Sequence, residues 1–345
     1  MPSATFLGRL GCTVPLIGAP MAGGPSGPGL VAAVGRAGGL GFVAAGYRTA
    51  TGLAEQLAAV RATGLPFGVN LFVPNPVPLP AAAYRAYRAA LAPEAANLGV
   101  ELPAEPRADD DGWADKLALL LAEPVPVVSC TFGLPAAGEV AALRGAGSLV
   151  LLTVTSAAEA RAAAELAPDG LVVQSYEAGA HYGTLTPDRL PAQLPLAELL
   201  AAVRAVTELP LIGAGGIGTA AAARLATAAG ATAVAVGTAL LRTPESGGSA
   251  LQKAALAAAA EAGTPTVLTR AFTGRPARAL RNRFTDAHPD APLGYPALHY
   301  LTSPLRAAAT AAGDPGLVNL WAGTGYRHAT TQPAGAVVGE LTRLL

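Results

Sequence analysis

Residues 209–240 read LPLIGAGGIGTAAAARLATAAGATAVAVGTAL, and local signals divide them into four parts. Leu209–Ala214 is a short apolar run, as expected of a parallel strand covered on both faces. Gly213–Gly218 is a glycine-rich turn. Thr219–Ala229 has helical composition and is followed by Gly230, where a helix C-terminal glycine belongs. A second apolar run starts at Ala231. The order is strand, turn, helix, strand. A transmembrane reading of Thr219–Leu241 fails, because Arg224, Gly230, Gly237 and several threonines interrupt the roughly 20 apolar residues a span requires.

The same unit recurs upstream. Apolar runs bounded by Gly and Pro start at Val14 (VPLIGAPMAG), Gly39 (GLGFVAAG), Leu65 (LPFGVNLFV), Pro124 (PVPVVSCTFG), Gly147 (GSLVLLTVTS) and Gly170 (GLVVQSYEAG). Helical stretches lie between them, among them Gly52–Thr63 before Gly64, and Ser156–Leu166, where Ser156 and Glu159 form a capping-box pattern. Eight strand-like runs alternating with helices predict an α/β fold, a (β/α)8 TIM barrel. Two intervals are long. One, after Phe72, holds Pro74, Pro76, Pro78 and Pro80, a Tyr/Arg helix and the charged loop Glu101–Gly112; the other, after Gln174, holds His181. Insertions after barrel strands project from the face where active sites lie. Past Leu241 the pattern changes to a helix over Gly247–Gly263, a basic stretch over Thr266–Arg283 and a Pro/Tyr/His-rich stretch over His288–Pro304. The expected organisation is a barrel over 1–245, a smaller, mainly helical capping lobe over 246–320, and a tail over 321–345 that returns to the barrel.

Composition narrows the function. Of 345 residues, 52% are hydrophobic and 13% charged, which excludes disorder. Lys and Arg total 23, as do Asp and Glu, so no basic field is available for nucleic acid or an anionic membrane. Only Lys116 and Lys253 are lysines, a coding bias with no functional reading. Two cysteines, Cys12 and Cys130, make neither a disulfide framework nor a zinc site, and point to a reducing, cytoplasmic compartment. The N-terminal stretch has no charged region followed by a clean apolar one, so no secretory signal is expected.

The residues able to carry chemistry cluster at strand ends. Gly213–Gly218 matches G-x-G-x-x-G, but it falls in the seventh unit, and an apolar run stands where a ribose-binding acid belongs. A phosphate site explains it better, since the next strand also ends in a glycine turn, Val236-Gly237-Thr238, and barrels bind phosphate after strands seven and eight. His181 lies in the strand-end loop QSYEAGAHYG (174–183), where an imidazole can reach a ligand and move a proton, or simply pack. Glu177 either orients it or is a solvated loop acid. Asn70 ends the third strand with an amide suited to a heterocycle edge. Met21 packs against a planar ligand or fills the core. Cys130, between Ser129 and Thr131, is a conceivable nucleophile. No carboxylate pair or metal-ligand cluster is evident. A barrel with a phosphate site, strand-end amides and one histidine fits a flavin mononucleotide enzyme.

At these residues the chain closely resembles the nitronate monooxygenase family, formerly 2-nitropropane dioxygenases, in its bacterial class I group. The resemblance runs through PLIGAPMAGG (15–24), FGVNLF (67–72), VSCTFGLP (128–135), QSYEAGAHYG (174–183), GAGGIG (213–218), TRAFTGRPARALRNRF (269–284) and LWAGTGY (320–326). It implies an FMN-dependent enzyme that oxidises alkyl nitronates, such as propionate 3-nitronate, or nitroalkanes with O2, giving a carbonyl compound and nitrite. Carried over by motif, Met21, Asn70, Gln174, Gly179, Gly216, Ala235, Val236, Gly237 and Thr238 would contact FMN, and His181 would be the active-site histidine, cationic or hydrogen-bonding toward the nitronate. Three positions depart from the family pattern: Ser175 and Ala180 stand where Gly is more usual, and Tyr182 where Arg is. Tyr295, His299 and Tyr300 either line the pocket or pack the lobe. The alternatives are an FMN-dependent NAD(P)H oxidoreductase, such as a quinone or enoyl-thioester reductase, and a non-redox barrel that binds a phosphate ligand. Either a monomer or a homodimer is compatible with the sequence.

Overall fold

A computed structural model describes residues 6–345. Each of the eight apolar runs becomes a strand of one closed parallel barrel. Six come in succession: β1 (Leu16–Gly18), β2 (Leu40–Ala44), β3 (Phe67–Phe72), β4 (Val127–Thr131), β5 (Leu149–Val154) and β6 (Gly170–Gln174). A two-residue strand, β7 (Ala180–His181), then leaves the barrel, and β8 (Leu211–Ala214) and β9 (Ala233–Val236) complete it. Closure is through β9 and β1, with Ile17 opposite Ala235 and Gly18 opposite Val236.

Alternation along each strand sorts side chains to two buried faces. In β2, Leu40 and Phe42 point inward to a cluster with Ile17, Val127, Leu151 and Ile212, while Val43 joins the layer under the helices. Both faces are dry, which is why the strands read as continuous apolar runs. The short helix Phe6–Arg9 adds Phe6 and Leu7 to the inner cluster. Some of the helices begin on side-chain caps: Thr49 accepts from the Gly52 amide at 3.1 Å, and Ser156 from the Glu159 amide at 3.1 Å. Only this half of the capping box forms at Ser156. The Glu159 carboxylate instead binds the Thr155 amide (2.5 Å) and hydroxyl (2.7 Å), the Thr184 hydroxyl (2.7 Å) and the Leu185 amide (2.8 Å). Four donors stabilise a carboxylate that is 6% exposed, and they tie the segment after His181 to the barrel.

The lobe is mainly helical and has its own core. Tyr84, Tyr87 and Leu91, from the insertion after β3, pack there with Leu256, Phe272, Leu298 and Leu305. The basic stretch forms a hairpin, β10 (Thr266–Thr269) and β11 (Ala277–Leu280), whose edge takes β7 in antiparallel register, Ala277 opposite His181. Thus the loop that carries His181 is a strand of the lobe's sheet as well as a barrel insertion. Both lysines are structural. Lys116, 1% exposed, pairs with Asp111 at 2.6 Å, and Lys253 donates to the Thr243 and Ser246 carbonyls, each at 2.8 Å. The C-terminal helix Ala334–Thr342 packs on the helices Pro28–Arg36 and Ala220–Ala228. Among the described residues, no helix is long and apolar enough to cross a membrane.

Candidate active site

The C-terminal strand ends and the lobe enclose a cavity of about 460 Å3. All ten residues expected at the site line it. Asn70 and Gln174 stand at the ends of β3 and β6, and Gly179 and His181 lie on the loop after β6. Gly216 lies in the turn after β8, and Ala235, Val236, Gly237 and Thr238 end β9, with Met21 beside them after β1.

One end of the cavity is built from backbone. Gly215 and Gly216 have φ of 110° and 72°, the left-handed region that glycine adopts without strain. This conformation leaves the amides of Gly215, Gly216 and Ile217 without a protein acceptor among the described residues, and the same holds for Gly237 and Thr238. Convergent free amides on two adjacent turns suit a phosphate monoester. The Glu177 carboxylate supports the turn from behind. It accepts from the Leu196 amide (3.2 Å) and the Ser175 hydroxyl (3.4 Å), and a Cβ on Gly216 would meet it at 3.1 Å. Glu177 is therefore neither a solvated acid nor an orienter of His181.

Side-chain amides occupy the barrel's open end. Asn70 Nδ2 donates to the Ser129 carbonyl (3.2 Å) and hydroxyl (2.9 Å) and to Thr131 Oγ1 (2.9 Å), which leaves Oδ1 for a ligand. Gln174 holds the histidine loop. Its Nε2 donates to the His181 carbonyl (3.2 Å), and its Oε1 accepts from the Gly183 amide (2.6 Å).

His181 sits in a cage of rings: Phe132 (5.5 Å), Tyr295 (5.6 Å) and Trp321 (5.5 Å between centroids). Its Nε2 meets Thr273 Oγ1 at 2.9 Å. Burial, then the charges of Arg275 and Arg306, push the imidazole down to about 3. The side chain is therefore neutral across the physiological range. This corrects the cationic alternative for the unliganded protein, because the apolar cage and two guanidiniums disfavour a second charge. His299, pushed down to about 2 by burial and then by Arg306, stacks on Tyr47 at 4.2 Å.

Depressed histidines link stability to pH. Each folded-state value lies below the ordinary one near 6.5, so the unfolded chain binds more protons as pH falls. Stability is full above about pH 6.5 and is lost as pH falls toward the folded values. Denaturant titrations from pH 7 to 4 should show the unfolding free energy dropping with a slope approaching two protons. His299→Asn should remove about one of them. An unchanged slope in that variant would show that His299 is not desolvated.

Two departures from the family pattern have structural readings. Ala180 takes φ 64°, a left-handed conformation that disfavours a Cβ, yet His181 still faces the cavity. Tyr182 is 3% exposed and turns its hydroxyl to the Thr155 carbonyl, so no cavity cation is lost at that position. Tyr300 donates to Asp109 Oδ2 at 2.8 Å under Arg107, away from His181. Cys130 is no nucleophile: it is fully buried, and burial pushes its thiol up to about 12. Among the described residues, no three His, Cys, Asp or Glu side chains are placed to hold a metal.

Residues 5–343 match the family model for nitronate monooxygenase. The chain belongs to the nitronate monooxygenase family. A probable nitronate monooxygenase of Staphylococcus aureus (strain Newman) is 34% identical over 335 residues, 95% of this chain and 93% of that protein. The crystal structure of nitroalkane oxidase from Streptomyces ansochromogenes superposes with a TM-score of 0.92 at 46% identity, covering 99% of this chain and 98% of that one. FabK from Thermotoga maritima shares the fold alone, with a TM-score of 0.71 at 23% identity over 97% of this chain and 93% of that one. Nitronate monooxygenases are flavin-dependent oxidoreductases, so this chain is an enzyme of nitro-compound oxidation.

The structure adds residues around His181 that sequence reasoning passed over: Thr273 and Trp321 line the cavity, and Arg275 is buried behind it. Arg275, with no exposed surface, lays its guanidinium 4.1 Å over the Phe132 ring, and its Nε and Nη1 have no partner among the described residues. Thr273 and Arg275 fall in the 269–284 motif, and Trp321 in LWAGTGY, so the signal was present without a residue assignment.

Proposed function

We propose that this enzyme binds FMN in the cavity and oxidises alkyl nitronates of the propionate 3-nitronate type with O2, giving a carbonyl compound and nitrite. The observation that carries the reading is convergence. Two turns of free amides, strand-end amides and a caged, neutral histidine all face one cavity. The turns at Gly215–Ile217 and Gly237–Thr238 would hold the phosphate, and Asn70 Oδ1 would meet a ring N–H. FMN, when bound, supplies the electron transfer and the reaction with O2.

The chain's residues do the rest. With one imidazole nitrogen on Thr273, the other can hydrogen-bond a nitronate oxygen or accept the α-proton of a neutral nitroalkane. Arg275 and Arg306 give the cavity a positive potential, which favours an anionic substrate over its neutral acid. The 246–320 lobe shapes the substrate end.

Purified protein should take up FMN and turn yellow, then consume O2 and release nitrite when given propionate 3-nitronate. A protein that binds no FMN would overturn the cofactor assignment. FMN-loaded protein that bleaches rapidly with NADPH but ignores the nitronate would favour the reductase reading.

A further inference from the structure

Arg306 stands on the helix Ala297–Ala311, with its side chain on the cavity wall. All its hydrogen-bond partners are neutral: Thr302 Oγ1 (3.1 Å), Asn319 Oδ1 (3.3 Å), the His299 carbonyl (2.9 Å) and Ser303 Oγ (2.9 Å). Among the described residues it forms no ion pair. Burial holds its guanidinium down to about 10, so it stays cationic at neutral pH. A guanidinium offers five N–H donors, and these partners leave one on Nη1 unused. A desolvated cation without a counter-ion is costly unless a ligand supplies the missing charge.

Its position says what that ligand is. Arg306 Nη2 lies 3.4 Å from His299 Nδ1, the His299 ring lies 6.4 Å from that of Tyr295, and Tyr295 lies 5.6 Å from His181. Arg306 is thus separated from His181 by two rings, on the same cavity. The amide turns suited to phosphate belong to other elements, after β8 and β9. A substrate with its reacting carbon at His181 would carry a second group toward Arg306, and a planar carboxylate matches the guanidinium fork.

We infer that Arg306 is the receptor for a carboxylate borne away from the reacting carbon, which makes it a specificity-determining residue for acid-bearing nitronates over simple alkyl nitronates. The inference rests on the nitronate reading above. The test compares FMN-loaded wild type, Arg306→Met and Arg306→Lys on propionate 3-nitronate and on propyl-1-nitronate, which has the same carbon chain without the acid. Loss of a charge-assisted hydrogen bond should lower the ratio of the two kcat/KM values by about 30-fold in Arg306→Met, chiefly through KM for the acid substrate. Arg306→Lys, which keeps the charge, should recover much of it.

Calorimetric titration gives a readout without turnover. Succinate, a shape analogue of propionate 3-nitronate, should bind wild type and lose most affinity in Arg306→Met. Butyramide, of the same length but with no carboxylate, should be unaffected. An unchanged ratio would overturn the inference, as would equal losses on both substrates in both variants or weakened FMN retention as the main defect. If wild type oxidises neither nitronate, the functional reading fails instead, and succinate against butyramide still decides whether Arg306 receives a carboxylate.

Discussion

His181→Ala is expected to keep its FMN and lose nitronate oxidation by about 1,000-fold, the middle of the range for removal of a positioned proton-transfer group. The two consequences separate because the machinery is separate. The amides suited to phosphate come from the turns after β8 and β9, whereas His181 contributes a ring held by Thr273 and caged by Phe132, Tyr295 and Trp321. Its backbone is held independently, by β11 opposite Ala277 and by Gln174, so truncating the ring leaves the loop in place. The wild-type pH profile is a sharper check. An imidazole pushed down to about 3 stays neutral from pH 5 to 8, so kcat/KM for a nitronate should show no inflection near 6.5 once substrate ionisation is accounted for. An inflection there that vanishes in His181→Ala would mean the ring is not desolvated. Retained turnover in the variant would remove His181 from the chemistry.

The barrel was legible because its physics is local. Each strand is buried on both faces, so each reads as an apolar run, and the glycines that end Gly52–Thr63 and Thr219–Ala229 mark their helices directly. The glycine turn after β8 was legible for a related reason, since a backbone held at positive φ needs glycine and glycine is visible in sequence. The lobe's sheet was not. β7 is two residues long, and its partners lie about a hundred residues downstream, so its pairing is entirely tertiary. Glu177 and Glu159 misled in the same way: a carboxylate withdrawn from solvent, half-buried at Glu177 and buried at Glu159, goes to whichever donors the fold brings, here Leu196 and Ser175 for the first, Thr184 and Leu185 for the second. Arg306 carried no signal, because an arginine on a helix is ordinarily solvated. Only the cavity and the missing counter-ion set it apart.

Gly215→Ala should weaken FMN binding by about 30-fold or more, because that position combines two requirements an alanine cannot meet. The first is backbone strain. At φ 110° an L-residue is held outside its allowed regions, at a cost of roughly 1–3 kcal/mol. The second is contact: a Cβ there would come within 2.5 Å of Ser175 Oγ and 2.9 Å of the Ala178 amide. The turn can relieve both only by moving, and its free amides move with it. Ser175 and Ala178 also begin the loop that leads to His181, so the displacement reaches the substrate end. Fluorescence titration of FMN into the stripped variant measures the loss, and circular dichroism checks the fold. Gly147→Ala is the matched control. Its φ of 99° imposes similar strain, a Cβ there meets nothing within 4 Å, and it lies outside the cavity lining. It should lose stability without losing FMN affinity. Equal loss of affinity in both variants would trace the effect to general destabilisation, and wild-type affinity in Gly215→Ala would show that the phosphate does not depend on this turn.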